Sequence, residues 1–174
     1  MNRRAALQFV CLFLLAACSA GDDKKSAMQT RPDSPADPAE KVVLSEVEWK
    51  QRLTPEQFRI LREAGTERPN GAVYKEFKQQ GKGAYHCAGC GALLFSSNEK
   101  FDSGCGWPSF YDPAKAENVR TRKDTTLGMT RIEVLCAKCD GHLGHIFEGE
   151  GFNTPTDKRY CINGVGLTFV PARE

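Results

Sequence analysis

Apolar and polar positions divide the chain into stretches that follow different rules. An apolar run fills residues 5–17, whereas residues 19–41 hold almost nothing apolar and carry Pro32, Pro35 and Pro38. Helical signals begin after that. Ser45-Glu46-Val47-Glu48 and Thr54-Pro55-Glu56-Gln57 both have capping-box spacing, the second with proline at the first helical position. They predict a short helix over 46–52 and a longer one over 55–64 stopped by Gly65, with Phe58, Leu61 and Ala64 on its packed face. Beyond Gly71 the 3.6-residue pattern disappears. Short apolar stretches recur between turn signals at 92–95, 131–135, 145–148, 159–163 and 166–170. Ile132 and Val134 alternate with Arg131 and Glu133, and Leu167 and Phe169 alternate again. Without long amphipathic helices between strands, a parallel sheet is excluded. The pattern predicts a mainly β fold: two small antiparallel sheets prefaced by short N-terminal helices.

Composition narrows the function classes. With 26% charged residues and a mean hydropathy of -0.47, the chain is neither a polytopic membrane protein nor wholly disordered. Of its 24 basic residues, Arg3 and Arg4 lie in the first 17, so removal of that segment leaves 22 basic against 22 acidic residues. A neutral protein lacks the basic surface that nucleic-acid binding through phosphates requires, so no nucleic-acid partner is expected.

The N-terminus has the tripartite form of an export signal. Arg3 and Arg4 precede an apolar segment of 13 residues, too short for a bilayer span of about 20. Leu15-Ala16-Ala17-Cys18 resembles the lipobox of bacterial lipoproteins. That resemblance implies cleavage before Cys18, lipidation of Cys18 and, with Ser19 following, an outer-membrane protein facing the periplasm. A plain signal peptide with a chance cysteine, or an uncleaved anchor, is the competing reading. The expected organisation is a signal peptide at 1–17, a lipid-anchored flexible linker at 18–41 and a folded domain at 42–174. As a flexible coil, residues 19–41 reach about 25–30 Å.

The eight cysteines each require an assignment. Cys11 leaves with the signal and Cys18 is the lipidation candidate. Cys87-Ala88-Gly89-Cys90 and Cys136-Ala137-Lys138-Cys139 form two C-x-x-C pairs, each followed by a turn-forming residue, Gly91 and Asp140. Thiolates two residues apart on a turn can reach one tetrahedral metal, and two such pairs suit one structural zinc with no open position. Two disulfides are the alternative in an oxidising compartment.

Cys105 and Cys161 remain. On a strand, Arg159, Cys161 and Asn163 share one face, with Tyr160 and Ile162 on the other. A neighbouring cation lowers a thiol pKa, so Arg159 marks Cys161 as the nucleophile. His142 and His145 are the acid–base candidates, Trp107 offers an aromatic wall, and His86 reads as an accessory or surface residue beside the zinc pair. Phe110 and Tyr111 read as core. A nucleophilic thiol, a second thiol, imidazoles and an aromatic wall suit reduction at sulfur through a sulfenic acid and a disulfide. Cys105 and Cys161 could equally form one structural disulfide.

The segments 87–90, 100–110, 136–139, 141–147 and 159–163 together resemble the B-type methionine-R-sulfoxide reductases, in family order over about 130 residues. The resemblance implies that Cys161 attacks the sulfoxide sulfur and that Cys105 resolves the resulting sulfenic acid for a thioredoxin-like reductant. It places Trp107 against the substrate methyl, has His142, His145 and Asn163 hold the sulfoxide oxygen, and has Arg159 support the thiolate. It also implies oxidised proteins as substrates, a monomer, and zinc away from the reacting thiols. Residues 68–83 and 148–156 depart modestly from the pattern. The alternative is a non-catalytic zinc-ribbon interaction module displayed on the membrane. A general thiol–disulfide oxidoreductase would need a C-x-x-C that the zinc reading already occupies.

Overall fold

The computed structural model describes residues 41–173; the expected signal, Cys18 and nearly all of the linker lie outside the described residues. Helices α1 (Glu46–Arg52) and α2 (Pro55–Leu61) start where the caps predict, with both capping boxes closed reciprocally at Ser45 and Thr54. They bury Trp49 on α1 and Phe58, Ile60 and Leu61 on α2. The second helix ends three residues before the expected point. Ala64 lies beyond it with φ +52° and is exposed, so Ile60 rather than Ala64 completes the packed face. A third helix, α3 (Ala72–Gln79), stands where the sequence suggested none. Its N-cap Gly71 offers no side-chain cap, and only Tyr74 and Phe77 are buried, too few to declare a stripe.

Nine strands follow among the described residues: β1 (Gly83–Cys87), β2 (Leu93–Ser96), β3 (Lys100–Phe101), β4 (Ser109–Phe110), β5 (Val119–Asp124), β6 (Arg131–Cys136), β7 (His142–Glu148), β8 (Lys158–Ile162) and β9 (Leu167–Pro171). They form two antiparallel sheets, as the pattern predicted, with orders β2-β1-β9 and β3-β4-β8-β7-β6-β5. β5 escaped the sequence reading because Val-Arg-Thr-Arg-Lys-Asp is an edge strand, whose charges discourage further pairing.

Aromatic rings join the sheets. Phe95 of β2 stacks on Phe110 of β4 with centroids 4.4 Å apart, and Tyr85 of β1 meets the edge of Phe110 at 5.0 Å. Each buried ring contributes about 2–3 kcal/mol by leaving water. Tyr111 is not core: it is half-buried and donates its hydroxyl to the Asn98 carbonyl. Glu133 corrects the alternation reading in the other direction. It occupies the polar phase of β6 yet is 5% exposed, because a histidine on β7 covers it.

Candidate active site

Strand register builds the site. Ser109 of β4 pairs with Cys161 of β8, Cys161 with His145 of β7, His145 with Glu133 of β6, and Glu133 with Arg122 of β5. Opposed residues of antiparallel strands share a face, so five strands present one row of chemically active side chains. His142 is three residues from His145 and should face away from it at period two. A bulge at Leu143, where Gly144 pairs with Val134 but His142 with Leu135, returns it to the same side. The two imidazole centroids lie 5.6 Å apart.

Above the row lies a cleft of about 430 Å³ lined by Trp107, His142, His145, Phe147, Cys161 and Asn163, with Leu127 also among its walls. A larger cavity of about 530 Å³ between α3 and β3 holds neither cysteine nor histidine among its lining residues. Cys105 approaches Cys161 from the loop before β4, with 3.8 Å between the sulfurs. The Cys105 thiol is held well below the ordinary thiol range, at about 4, chiefly by a hydrogen bond from the Cys161 thiol and further by the Ser103 and Ser109 hydroxyls. Cys161 is pushed up by donating that bond, by burial and by the neighbouring negative sulfur, with Arg159 acting in the opposite sense. The two sulfurs thus share one proton, while Arg159 favours charge on Cys161.

Arg159 is otherwise committed. Its Nε and Nη2 donate to Glu150 at 2.8 Å each, and its guanidinium lies 4.5 Å from the Phe147 ring centre; towards Cys161 it acts first through its charge and then through hydrogen bonding, both lowering the thiol pKa. Each histidine is oriented by a carboxylate backed by an arginine. His142 Nδ1 donates to Glu133 at 2.7 Å, and Arg122 holds Glu133; His145 Nε2 donates to Asp124 at 2.8 Å, and Arg131 holds Asp124. A carboxylate only accepts, which assigns the proton to those ring nitrogens and leaves the other nitrogen of each ring free. Burial lowers the His142 pKa more than Glu133 raises it, so His142 is neutral at pH 7. Asn163 lies just past β8, where its Nδ2 donates to the Leu143 carbonyl and its Oδ1 accepts from Thr66 and the Glu67 amide.

The second cluster contains only thiols. Cys87, Cys90, Cys136 and Cys139 place their sulfurs within 4.8 Å of one another, with Cys87–Cys139 at 3.7 Å and Cys90–Cys136 at 3.5 Å. The residues after each pair, Gly91 and Asp140, have φ +77° and +57°, the tight turns their types suggested. None of the four lines the cleft. His86 accompanies them, its Nδ1 donating to the Gly91 carbonyl.

Comparison with known proteins shows that a family model described as the SelR domain matches residues 53–171. The chain belongs to the SelR family. The peptide methionine sulfoxide reductase MsrB of Leifsonia xyli is 52% identical over 134 residues, covering 76% of this chain and 94% of its own. The protein of the same name from Chromohalobacter salexigens is 53% identical over 133 residues, 76% of this chain and 98% of its own. That from Leptospira interrogans is 55% identical over 126 residues, 72% and 92% respectively.

In this SelR protein the four thiols fit one structural zinc. Sulfurs around a tetrahedral ion at about 2.3 Å lie about 3.8 Å apart, close to the separations present. Zinc there ties the β1–β2 turn to the β6–β7 turn and, with all four positions filled by protein, leaves none for a reactant. The SelR site contains more carboxylates than its sequence declared. Glu133, Asp124, Glu150 and Glu67 act through strand pairing and loop closure. For Glu133 the only available signal was an acidic residue in register with a histidine on the next strand.

Proposed function

We propose that this protein reduces the R epimer of methionine sulfoxide in peptides and proteins to methionine. The observation that carries the reading is the pair of thiols 3.8 Å apart, one of them in a cleft shared with two imidazoles, an amide and an indole. As Cys161 attacks the sulfoxide sulfur, its proton passes to Cys105, whose sulfur lies 3.8 Å away. The oxygen moves to Cys161 and takes up one proton from solvent; Cys161 is thereby oxidised by two electrons to sulfenic acid, and the methionine sulfur is reduced by two. Cys105 gives up the acquired proton and attacks the Cys161 sulfur. A disulfide forms, and the hydroxyl leaves with that proton as water. A thioredoxin-like dithiol reduces the disulfide and closes the cycle.

Trp107 forms the wall for the substrate methyl. His142, His145 and Asn163 hold the oxygen directly or through water, and the Arg159 charge favours the Cys161 thiolate as the proton leaves. A sulfoxide oxygen only accepts hydrogen bonds, and the second Nδ2 proton of Asn163 suits it. The protein is further read as an exported monomeric lipoprotein, anchored through Cys18 on residues 18–41 and facing the periplasm from the outer membrane; the lipobox-like 15–18 supports this. The zinc-ribbon display module is not favoured, because it gives the Cys105–Cys161 pair no task.

The test is turnover of each epimer of a methionine-sulfoxide peptide with dithiothreitol. Wild type should consume the R form and Cys161→Ser should not. Equal rates for the two proteins, or an untouched R form, would overturn the reading.

A further inference from the structure

Glu67 belongs to no motif, and it sits on the loop between α2 and α3. It is 7% exposed, with no lysine or arginine among the described residues in salt-bridge contact. A buried carboxylate without a paired cation is costly unless its oxygens are otherwise satisfied. Here both are: Oε1 accepts from the Gly164 amide at 2.8 Å and Oε2 from the Val165 amide at 2.9 Å. These two amides form the turn directly after Asn163.

The backbone of the same residue serves two walls of the cleft. Its carbonyl accepts the Trp107 indole N–H at 3.1 Å, and its amide donates to Asn163 Oδ1 at 3.0 Å. The second bond decides which way the Asn163 amide faces. With Oδ1 held by Glu67 and Thr66, Nδ2 remains with one proton on the Leu143 carbonyl and one unused. Space around the pin is closed. A Cβ on Gly164 would fall 2.5 Å from Val73 and 3.4 Å from Glu67 Oε1.

We propose that Glu67 is a positioning residue for reduction of the sulfoxide: its carboxylate pins the loop to the Gly164–Val165 turn, so that its own carbonyl and amide fix the plane of Trp107 and the orientation of Asn163. The inference rests on the proposed reductase reading, in which those two side chains receive the methyl and the oxygen. Glu67 itself touches no reacting atom. Its loss therefore acts on substrate placement and leaves the sulfur pair intact.

The experiment compares wild type, Glu67→Gln and Glu67→Ala. Glutamine keeps one acceptor for the two amides and alanine keeps none. The expected kcat/KM for a methionine-R-sulfoxide peptide falls in that order, by on the order of 10- to 100-fold in Glu67→Ala, the effect of misplacing a substrate by about an ångström. KM should rise, preference for a methyl over an ethyl sulfoxide should shrink, and alkylation rates of Cys105 and Cys161 should not change. A second readout needs no turnover: hydrogen exchange of the Trp107 indole N–H, followed by NMR and assigned with Trp107→Phe, should accelerate in Glu67→Ala. If only the melting temperature drops, with KM, methyl preference and indole exchange as in wild type, the role is structural and the inference is wrong. If Glu67→Ala does not fold, Glu67→Gln decides by the same measurements. If wild type reduces no sulfoxide, the reductase reading falls, and indole exchange still tests whether Glu67 holds Trp107.

Discussion

Replacing Gly144 by alanine tests the register argument at its tightest point. Gly144 sits in the β7 bulge with φ +154°, and a Cβ there would lie 2.0 Å from the carbonyl oxygen of Cys161 and 3.0 Å from its carbonyl carbon. Ordinary contact begins near 3.4 Å, so the strand carrying Cys161 must retreat by more than an ångström, or the bulge must straighten. Holding alanine in that backbone region costs about 1–3 kcal/mol, and overpacking adds a similar amount. Together these give about 4 kcal/mol, or a fall in Tm on the order of 15 °C for a domain of this size. Displacing Cys161 by about 1 Å should cost on the order of 100-fold in kcat/KM. The assay pairs a thermal melt with initial rates on a methionine-R-sulfoxide peptide at a temperature where the variant is folded. Gly81→Ala, where a Cβ meets nothing within 4 Å, is the silent control. A Gly144→Ala protein within threefold of wild-type activity and within about 3 °C in Tm would refute the placement of β7 against Cys161.

Three further outcomes are expected. Because the Cys161 hydrogen bond is the largest cause of the low Cys105 pKa of about 4, alkylation of Cys105 should stay fast as pH falls towards 4 in wild type. In Cys161→Ala its inflection should move up towards the ordinary thiol range; an unmoved inflection would show that the two sulfurs are not coupled. Glu133→Gln removes an interaction that raises the His142 pKa; NMR titration of His142 should shift to lower pH and kcat should drop roughly tenfold, whereas an unchanged titration would detach Glu133 from the site. Elemental analysis should find about one zinc per chain. Its removal by chelation should abolish cooperative unfolding, because a structural zinc supplies on the order of 10 kcal/mol, comparable to the stability of a whole domain; a stable metal-free protein would sink the assignment.

Features written within a few residues of one another were legible in the sequence. The capping boxes at Ser45 and Thr54 fix both early helices, and two C-x-x-C pairs with turn residues behind them declare a metal centre. The placement of Cys161 on a strand between Arg159 and Asn163 was legible for the same reason. What escaped depends on partners distant in sequence. His142 and His145 share a face only because of a bulge between β6 and β7. Glu133 and Asp124 become histidine partners only through strand pairing, and Arg159 is claimed by Glu150 from a preceding loop. The Cys105–Cys161 contact joins thiols 56 residues apart and was legible only through the family resemblance, whereas the neighbouring arginine was visible in the sequence. Helix α3 was missed because it has neither a side-chain cap nor a broad apolar stripe.

The position of β8 divides mobility unequally between the two cysteines. Cys161 is hydrogen-bonded into a strand with neighbours on both sides, whereas Cys105 lies between Gly104 and Gly106, at φ +71° and +91°. Strands with partners on both sides open only near global unfolding, and glycine-rich loops open at far lower free energy. A disulfide brings sulfurs from 3.8 Å to about 2.05 Å, and that closure falls on the loop. One partner of the proposed redox couple is thus a fixed anvil and the other a moving arm. Exposure of the bond to an incoming reductant should follow the local opening of residues 103–107 and be independent of the global stability of the sheet.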